Sequence, residues 1–424
     1  MGALALVTAL VAQAATQTGA PPQAQPSTSS DTAAPAKVLG ESNYVDFEGG
    51  ASYSTNPLLM LNSNNGAGFG RISAHAVHTR VSARTTTVLS GFAQALVYTR
   101  HYGAQQSFNV DGRHDAAISE SLRLFIDGNV SYDEGGQLDR QILSIPNVPL
   151  LPGSTVPPAL LTPGSDFLTA TGRNFRLRAD GGGQLLLSPH TTLDFSSGVE
   201  HDILKSGGLE TRYTSVPVSL GYGRQLSERT TVGARVVGQF THYSGDLADS
   251  MGNSHVVTPE LTAQLRLSPT LTFSGDAGVS FSSVDTGVST RHTTGLAADA
   301  SLCSTNERSS FCGRASVHQQ AATSAGPSNV ISIGADYTRR LTAGDTLQFS
   351  LDAQRYSSPI ILASSQEFSR ATYARAVVNY SRKIGDRWFG GINLSARKIA
   401  ETGPDRDADA AASLFIRYRF GRVQ

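Results

Sequence analysis

The sequence predicts an all-β fold, a transmembrane antiparallel up-and-down β-barrel of about 18 strands. Three observations lead there. First, the stretch LTFSGDAGVSF places Leu271, Phe273, Gly275, Ala277, Val279 and Phe281 on one face and Thr272, Ser274, Asp276, Gly278 and Ser280 on the other. A period of two with one apolar and one polar face describes a strand between two different environments. Second, this unit recurs from Tyr44 to the last residues with no helical stretch between. Third, polar turns punctuate it at intervals of roughly 40 residues, the length of two strands, a tight turn and a modest loop.

Composition agrees. The 424 residues carry 34 Lys+Arg against 34 Asp+Glu, a balance that gives no case for a nucleic-acid partner. Only 16% of residues are charged and 39% hydrophobic, and there are 42 glycines. A soluble domain of this size would carry more charge, whereas a wall with one face in lipid and one in water needs little. No run of 18 apolar residues occurs, so no transmembrane helix is expected. Two cysteines exclude a disulfide-rich scaffold and a four-cysteine zinc site.

In chain order, residues 1–14, MGALALVTALVAQA, read as a signal peptide, with Leu4 to Val11 as apolar core and Ala12-Gln13-Ala14 as cleavage site. Residues 15–43 are rich in Ala, Gln, Pro, Ser and Thr and cannot bury enough surface to offset their ordering entropy. They read as a disordered periplasmic lead, too short for a plug domain. The barrel, residues 44–424, then opens at Tyr44. Its turns are expected near Ser82-Ala83-Arg84, Ser119-Glu120-Ser121, Ser188-Pro189-His190, Ser227-Glu228-Arg229, Ser268-Pro269-Thr270, Thr342-Ala343-Gly344 and Gly385-Asp386, with a further one at Thr305 to Ser309. Eight short turns and nine longer connections give about 18 strands, with both termini on the short-turn, periplasmic side.

The strand faces repeat the pattern. Val257, Leu261 and Leu265 alternate with Thr258, Thr262 and Arg266; Leu347, Phe349 and Leu351 alternate with Gln348, Ser350 and Asp352. Aromatics on the apolar face gather near strand ends at Tyr132, Tyr222, Phe240, Phe281, Tyr337, Tyr380 and Trp388, where interfacial girdles sit. The last strand, with Leu414, Ile416, Tyr418 and Phe420 on one face, resembles the terminal recognition signal of outer-membrane proteins, although GRVQ follows Phe420. That implies the barrel-assembly machinery as a partner, with outer-membrane lipid and lipopolysaccharide around the wall.

The polar face carries both signs. Arg123, Arg235, Arg266, Arg375 and Arg397 share it with Asp127, Asp194, Glu200, Glu260, Asp276, Asp299, Asp336 and Asp352. The expected lumen lining is Arg123, Asp127, Arg235, Glu260, Arg266, Asp276, Asp336, Asp352 and Arg375. Most such charges only line a solvated lumen, but arginines opposite carboxylates can also set a transverse field that selects polar solutes. Whether the signs segregate in space is not visible in one dimension.

Catalytic patterns are sparse. His75 and His78 fall on opposite faces of one strand and cannot chelate an ion together, and no H-E-x-x-H, G-x-S-x-G or P-loop occurs. No metal or cofactor is expected. The one enzyme-like group is Glu200-His201-Asp202 at the outer end of a strand, where surface proteases of the outer membrane keep acidic and histidine residues. Solvation of a strand end is the plainer explanation.

Cys303 and Cys312 flank the Thr305–Ser309 turn symmetrically, and the alternation puts both on the inner face. They are expected to form a cross-strand disulfide, two free thiols being the alternative. The longest interruption, residues 135–170, combines six prolines from Pro146 to Pro163 with Ile142, Ile145, Leu150, Leu151 and Leu160. Proline bars regular pairing, and an apolar loop waving in water would be costly. As the third outer connection it is expected to fold into the barrel mouth as a constriction; packing on a partner or a neighbouring subunit would also bury it, and a disordered surface loop is the third reading, which its apolar content disfavours.

After the first strand comes Ser54-Thr55-Asn56-Pro57. An early strand followed by an Asn-Pro step, then uninterrupted barrel to a terminal aromatic strand, resembles the β-barrel porin family associated with exopolysaccharide gene clusters. The resemblance covers residues 44–424 as a pattern. It implies an outer-membrane location in a Gram-negative bacterium, a role in secreting or handling polysaccharide and polysaccharide-secretion proteins as partners, with no catalytic residues. The sequence therefore points to an outer-membrane channel linked to exopolysaccharide export. A general or sugar-selective diffusion porin, and a non-conducting scaffold or outer-membrane enzyme, are the alternatives.

Overall fold

A computed structural model of the chain describes residues 38–59, 65–134, 172–206, 208–246, 248–285, 289–322, 326–361, 367–401 and 406–422. The signal-peptide segment, the lead up to residue 37 and the loop residues Ile142, Ile145, Leu150, Leu151 and Leu160 lie outside them. The strands are β1 Val38–Ser54, β2 Ala67–Ser82, β3 Thr85–Tyr98, β4 Ala104–Ala117, β5 Leu122–Glu134, β6 Arg173–Ser188, β7 Thr191–Ser206, β8 Leu209–Ser227 and β9 Thr230–Gly245. A short helix α1, Ala248–Met251, precedes β10 Asn253–Arg266, β11 Leu271–Asp285, β12 Thr290–Thr305, β13 Ser309–Ala322, β14 Gly326–Arg340, β15 Asp345–Ile361, β16 Glu367–Lys383, β17 Trp388–Glu401 and β18 Asp409–Arg422. No helix among the described residues is long and apolar enough to cross a membrane.

Each strand pairs antiparallel with its neighbour in sequence, and β1 pairs with β18 from Asn43↔Arg422 to Ser54↔Ala411, so the 18-stranded sheet closes on itself. Closure removes the unpaired edge that a membrane cannot tolerate. At a strand spacing of about 4.8 Å and a tilt of roughly 40°, eighteen strands make a backbone cylinder about 36 Å across.

The tight turns fall where Ser, Thr, Asp and Gly supply the geometry. In the β10–β11 turn, Ser268 Oγ accepts from the amides of Thr270 at 3.2 Å and Leu271 at 3.0 Å. In the β14–β15 turn, Thr342 Oγ1 accepts from those of Gly344 at 3.2 Å and Asp345 at 3.1 Å. The hydroxyl satisfies amides that the reversing backbone cannot, which is why one chemistry recurs. The turn between β12 and β13 closes on Asn306, whose Oδ1 accepts from the Ser309 amide at 2.8 Å.

Two boundaries differ from the sequence expectation. The first strand begins at Val38, six residues before Tyr44, inside the segment assigned to the lead; Val38 pairs with Ser82 and Gly40 with Val81. Backbone pairing to β2 orders this stretch despite its meagre apolar content. The connections opposite the tight turns are not uniformly longer: Tyr98 leads to Ala104 in β4 and Ser206 to Leu209 in β8. There the extra length is spent in strand, and β8 reaches 19 residues.

The outer surface is an apolar band. Ile72, Leu261, Leu296, Ile333 and Leu414 are 60% or more exposed. From Leu271 to Phe281 the β11 wall runs about 34 Å along the strand, about 26 Å along the barrel axis at that tilt, close to the apolar band of an outer-membrane barrel. Aromatic rings mark both margins: Trp388 packs on Tyr418 with centroids 4.9 Å apart at one end, and Phe108 stacks on Tyr132 at 5.8 Å at the other.

Candidate functional site

The candidate site is the inner wall. Alternation turns alternate residues of every strand inward, and cross-strand registry brings their charges together. On β9, β10 and β11, Arg235 is directly opposite Glu260 and donates to it through Nη2 at 2.7 Å, while the same nitrogen reaches Asp276 Oδ2 at 3.0 Å. On β13 to β16, Arg314 joins Asp336 at 3.2 Å and Asp352 at 2.9 Å, and Arg375 donates to the other oxygen of Asp352 at 2.6 Å. Asp352 thus ties two arginines from both sides. Asp127 faces Arg113 across the β4–β5 pair, and the Arg113 guanidinium lies 5.2 Å from the centre of the Phe125 ring. That ring lies over Gly182, where an added Cβ would meet Phe125 carbons at 2.9 Å, so the glycine lets an aromatic lie flat on the wall. Arg123 stands on the same face opposite Gln184. Arg266 closes β10 and is exposed beside the turn rather than within the ion-paired wall.

The signs segregate. Carboxylates lead on the arc β4–β12, where Asp127 faces Asp180 and Asp276 faces Asp299 across strand pairs. Arginines lead on β16–β18, where Arg375 faces Arg397 and Arg417 and Arg419 follow on the next strand. In a ring of 18 strands, β8 and β17 lie opposite each other, so the two arcs face across the lumen. Water between two such arcs would lie in a transverse field.

Between the charges lie hydroxyl and amide pairs: Gln94 donates to Ser107 at 2.8 Å, and Ser196 pairs with Ser219 at 2.7 Å. The wall is not uniformly polar. Phe69, Phe92, Leu96, Val377, Ile399 and Phe415 are buried among inward side chains.

The Ser54-Thr55-Asn56-Pro57 motif proves to be a clasp across the β1–β18 seam. The Ser54 hydroxyl and the Asn56 amide (3.2 Å) both donate to Asp409, and Asn56 Nδ2 donates to the Asp407 carbonyl at 3.0 Å. Arg397 donates through Nη2 to Asp409 at 2.9 Å and to the Pro57 carbonyl at 2.9 Å. Beyond the clasp Leu59 adopts φ 50°, uncommon for leucine, with its carbonyl accepting from Arg406 at 3.1 Å.

Cys303 and Cys312 are cross-strand partners on β12 and β13 and are joined by a disulfide. In the Glu200-His201-Asp202 group, Glu200 accepts from the Tyr213 hydroxyl at 2.6 Å and Asp202 from Arg176 at 2.6 Å. His201 points to the other face and meets Thr214 at 2.9 Å. The carboxylates and the imidazole therefore share no site. Among the described residues no cluster of His, Cys, Asp and Glu could hold a metal ion.

Some inner-wall residues lay outside the expected lining: Arg314, Asp46, Glu48, Arg71, Asp409, Arg417 and Arg419. For β18 the signal was present, because Leu414, Ile416 and Tyr418 on the lipid face leave Arg417 and Arg419 for the lumen.

No protein-family model matches the chain, and no curated protein matches it in sequence. Solved structures similar to it are outer-membrane barrels. The FrpB iron transporter from Neisseria meningitidis (F5-1 variant) shares 8% identity over 90% of this chain and 83% of that one, with a TM-score of 0.46. OpdQ from Pseudomonas aeruginosa shares 10% over 90% and 98%, with a TM-score of 0.41. OccK2 (OpdF) from the same organism, in complex with glucuronate, shares 8% over 90% and 98%, at 0.42. Likeness at this level is one of barrel architecture, and the functional reading rests on this chain's own wall.

Proposed function

We propose that the protein is an outer-membrane channel that lets polar solutes pass passively. The observation that carries this is the two-faced wall: a closed 18-stranded sheet with an apolar outer band and an inner face of cross-strand ion pairs in two opposed arcs. A barrel of this strand number encloses an aqueous interior, and the inner wall keeps its charges because they are paired across strands or solvated there. The opposed arcs favour solutes that carry dipoles or both signs, and the hydroxyl and amide pairs offer neutral polyols a place to exchange hydration.

The link to exopolysaccharide export rests on the resemblance carried by Ser54-Thr55-Asn56-Pro57, and the geometry is common to export and uptake. Polysaccharide-secretion proteins encoded beside this chain would favour export. Liposomes containing the folded protein test the channel itself. Swelling in isotonic solutions of small neutral sugars is the expected result, and liposomes as tight as protein-free ones would point to a scaffold.

A further inference from the structure

We propose that Arg417 and Tyr44, on the inner wall of β18 and β1, form a binding site for a small oxyanion, a carboxylate or phosphate group carried by a soluble solute. Arg417 is only 1% exposed. Among the described residues, none of its Nε, Nη1 and Nη2 atoms has a hydrogen-bond partner. The carboxylates that could serve it are engaged elsewhere. Asp46 accepts from Arg419 through both oxygens, and its nearer oxygen lies 3.9 Å from Arg417 Nε, beyond hydrogen-bond reach. Glu48, directly across the strand pair, accepts from Arg71. Among the described residues, Asp46 and Glu48 thus stand against three guanidinium groups, those of Arg71, Arg417 and Arg419.

The rest of the site is built to hold an anion. Both guanidinium groups lie over the Phe389 ring, Arg417 at 4.7 Å and Arg419 at 5.4 Å from its centre. Arg419 in turn covers the Tyr44 ring at 4.1 Å. The Tyr44 hydroxyl, in a residue 3% exposed, also has no hydrogen-bond partner among the described residues. Aromatic stacking fixes the guanidinium planes, so a bidentate oxyanion would find donors already oriented. A buried guanidinium without an acceptor is costly, whereas an oxyanion on it supplies an opposite charge and hydrogen-bond acceptors. Its place on the basic arc, facing the acidic one, draws anions to that side of the lumen.

The proposal concerns binding and is tested apart from conduction. The melting temperature of the detergent-folded barrel is measured in sodium chloride, sodium phosphate and sodium acetate at matched ionic strength. Wild-type protein is expected to show a saturable rise with phosphate, acetate or both, the stronger arm naming the solute class. General stabilisation of the folded state by phosphate, which is excluded from the protein surface, rises without saturating and is common to all variants. Arg417→Gln is expected to abolish the saturable rise, and Arg387→Gln, at an exposed turn, to retain it. Arg417→Gln should also melt close to wild type in chloride, since it removes a buried charge whose nitrogens make no hydrogen bond among the described residues. No saturable rise in wild type, or a drop in Arg417→Gln that is equal in every buffer, would overturn the proposal. Should Arg417→Gln fail to assemble, Tyr44→Phe decides: a weakened rise supports the site, and an unchanged one overturns it.

Discussion

Leu261 and Thr262 are neighbours at one depth on opposite faces of the wall, and they give the sharpest test of its two-sidedness. Leu261 is 72% exposed and pairs with Ala277, midway between Phe273 and Phe281 on β11. Leu261→Arg puts a guanidinium at mid-membrane depth against lipid, a cost of about 2–4 kcal/mol. That is roughly a 30- to 700-fold loss in the folding equilibrium. Thr262 points inward, and its cross-strand partner is Asp276, so Thr262→Arg sets a guanidinium beside a carboxylate and costs little. Urea titration of the barrel folding into vesicles reads both. The expected result is a midpoint lowered sharply for Leu261→Arg and held near wild type for Thr262→Arg. Equal effects at the two positions would refute the inward and outward assignment.

Three further outcomes follow from particular contacts. Arg397 and Asp409 are 2% and 1% exposed at the side chain, and removing either takes from its partner the opposite charge of a buried ion pair. Arg397→Ala or Asp409→Ala should cost about 3–5 kcal/mol, read as a lower melting temperature, with the double variant costing less than the sum. Cys303 and Cys312 close a loop with a sequence separation of 9, so Cys303→Ser with Cys312→Ser should destabilise the barrel by about 2–3 kcal/mol; mass spectrometry without reductant that finds two free thiols would remove the bridge. Deleting residues 141–165 is expected to raise single-channel conductance while the barrel still assembles, and unchanged conductance would place that loop outside the permeation path.

Much of the fold was legible because a barrel wall writes itself into sequence with a period of two. Leu271–Phe281 announces its faces residue by residue, and the repeated Ser and Thr turns fix the strand count, since hydroxyl-bonded reversals need those residues. The spatial arrangement of the charges was not legible. Whether Arg235 meets Glu260, or Asp276 faces Asp299, depends on register between strands, and alternation says nothing of register. Arg314 lies on the inward face by alternation with Phe311, Gly313 and Ala315, but its joining of Asp336 and Asp352 depends on register. Asp409 carried no such mark, because β18 opens on Asp409-Ala410-Ala411-Ala412, where small residues occupy both faces. The role of Ser54-Thr55-Asn56-Pro57 as a clasp was hidden for a related reason: its partners stand some 350 residues away and become neighbours only when the barrel closes. The apolar residues inside the wall, Phe92 and Phe415 among them, break the simple polar-inside rule.

The central claim is that this wall encloses a pore. Current through a planar bilayer containing the purified protein tests it most directly. Stable open steps in potassium chloride are the predicted result, with a reversal potential in a salt gradient that shifts toward cation preference in Arg375→Gln, because that change weakens the basic arc. A correctly folded barrel that inserts and carries no current would contradict the account.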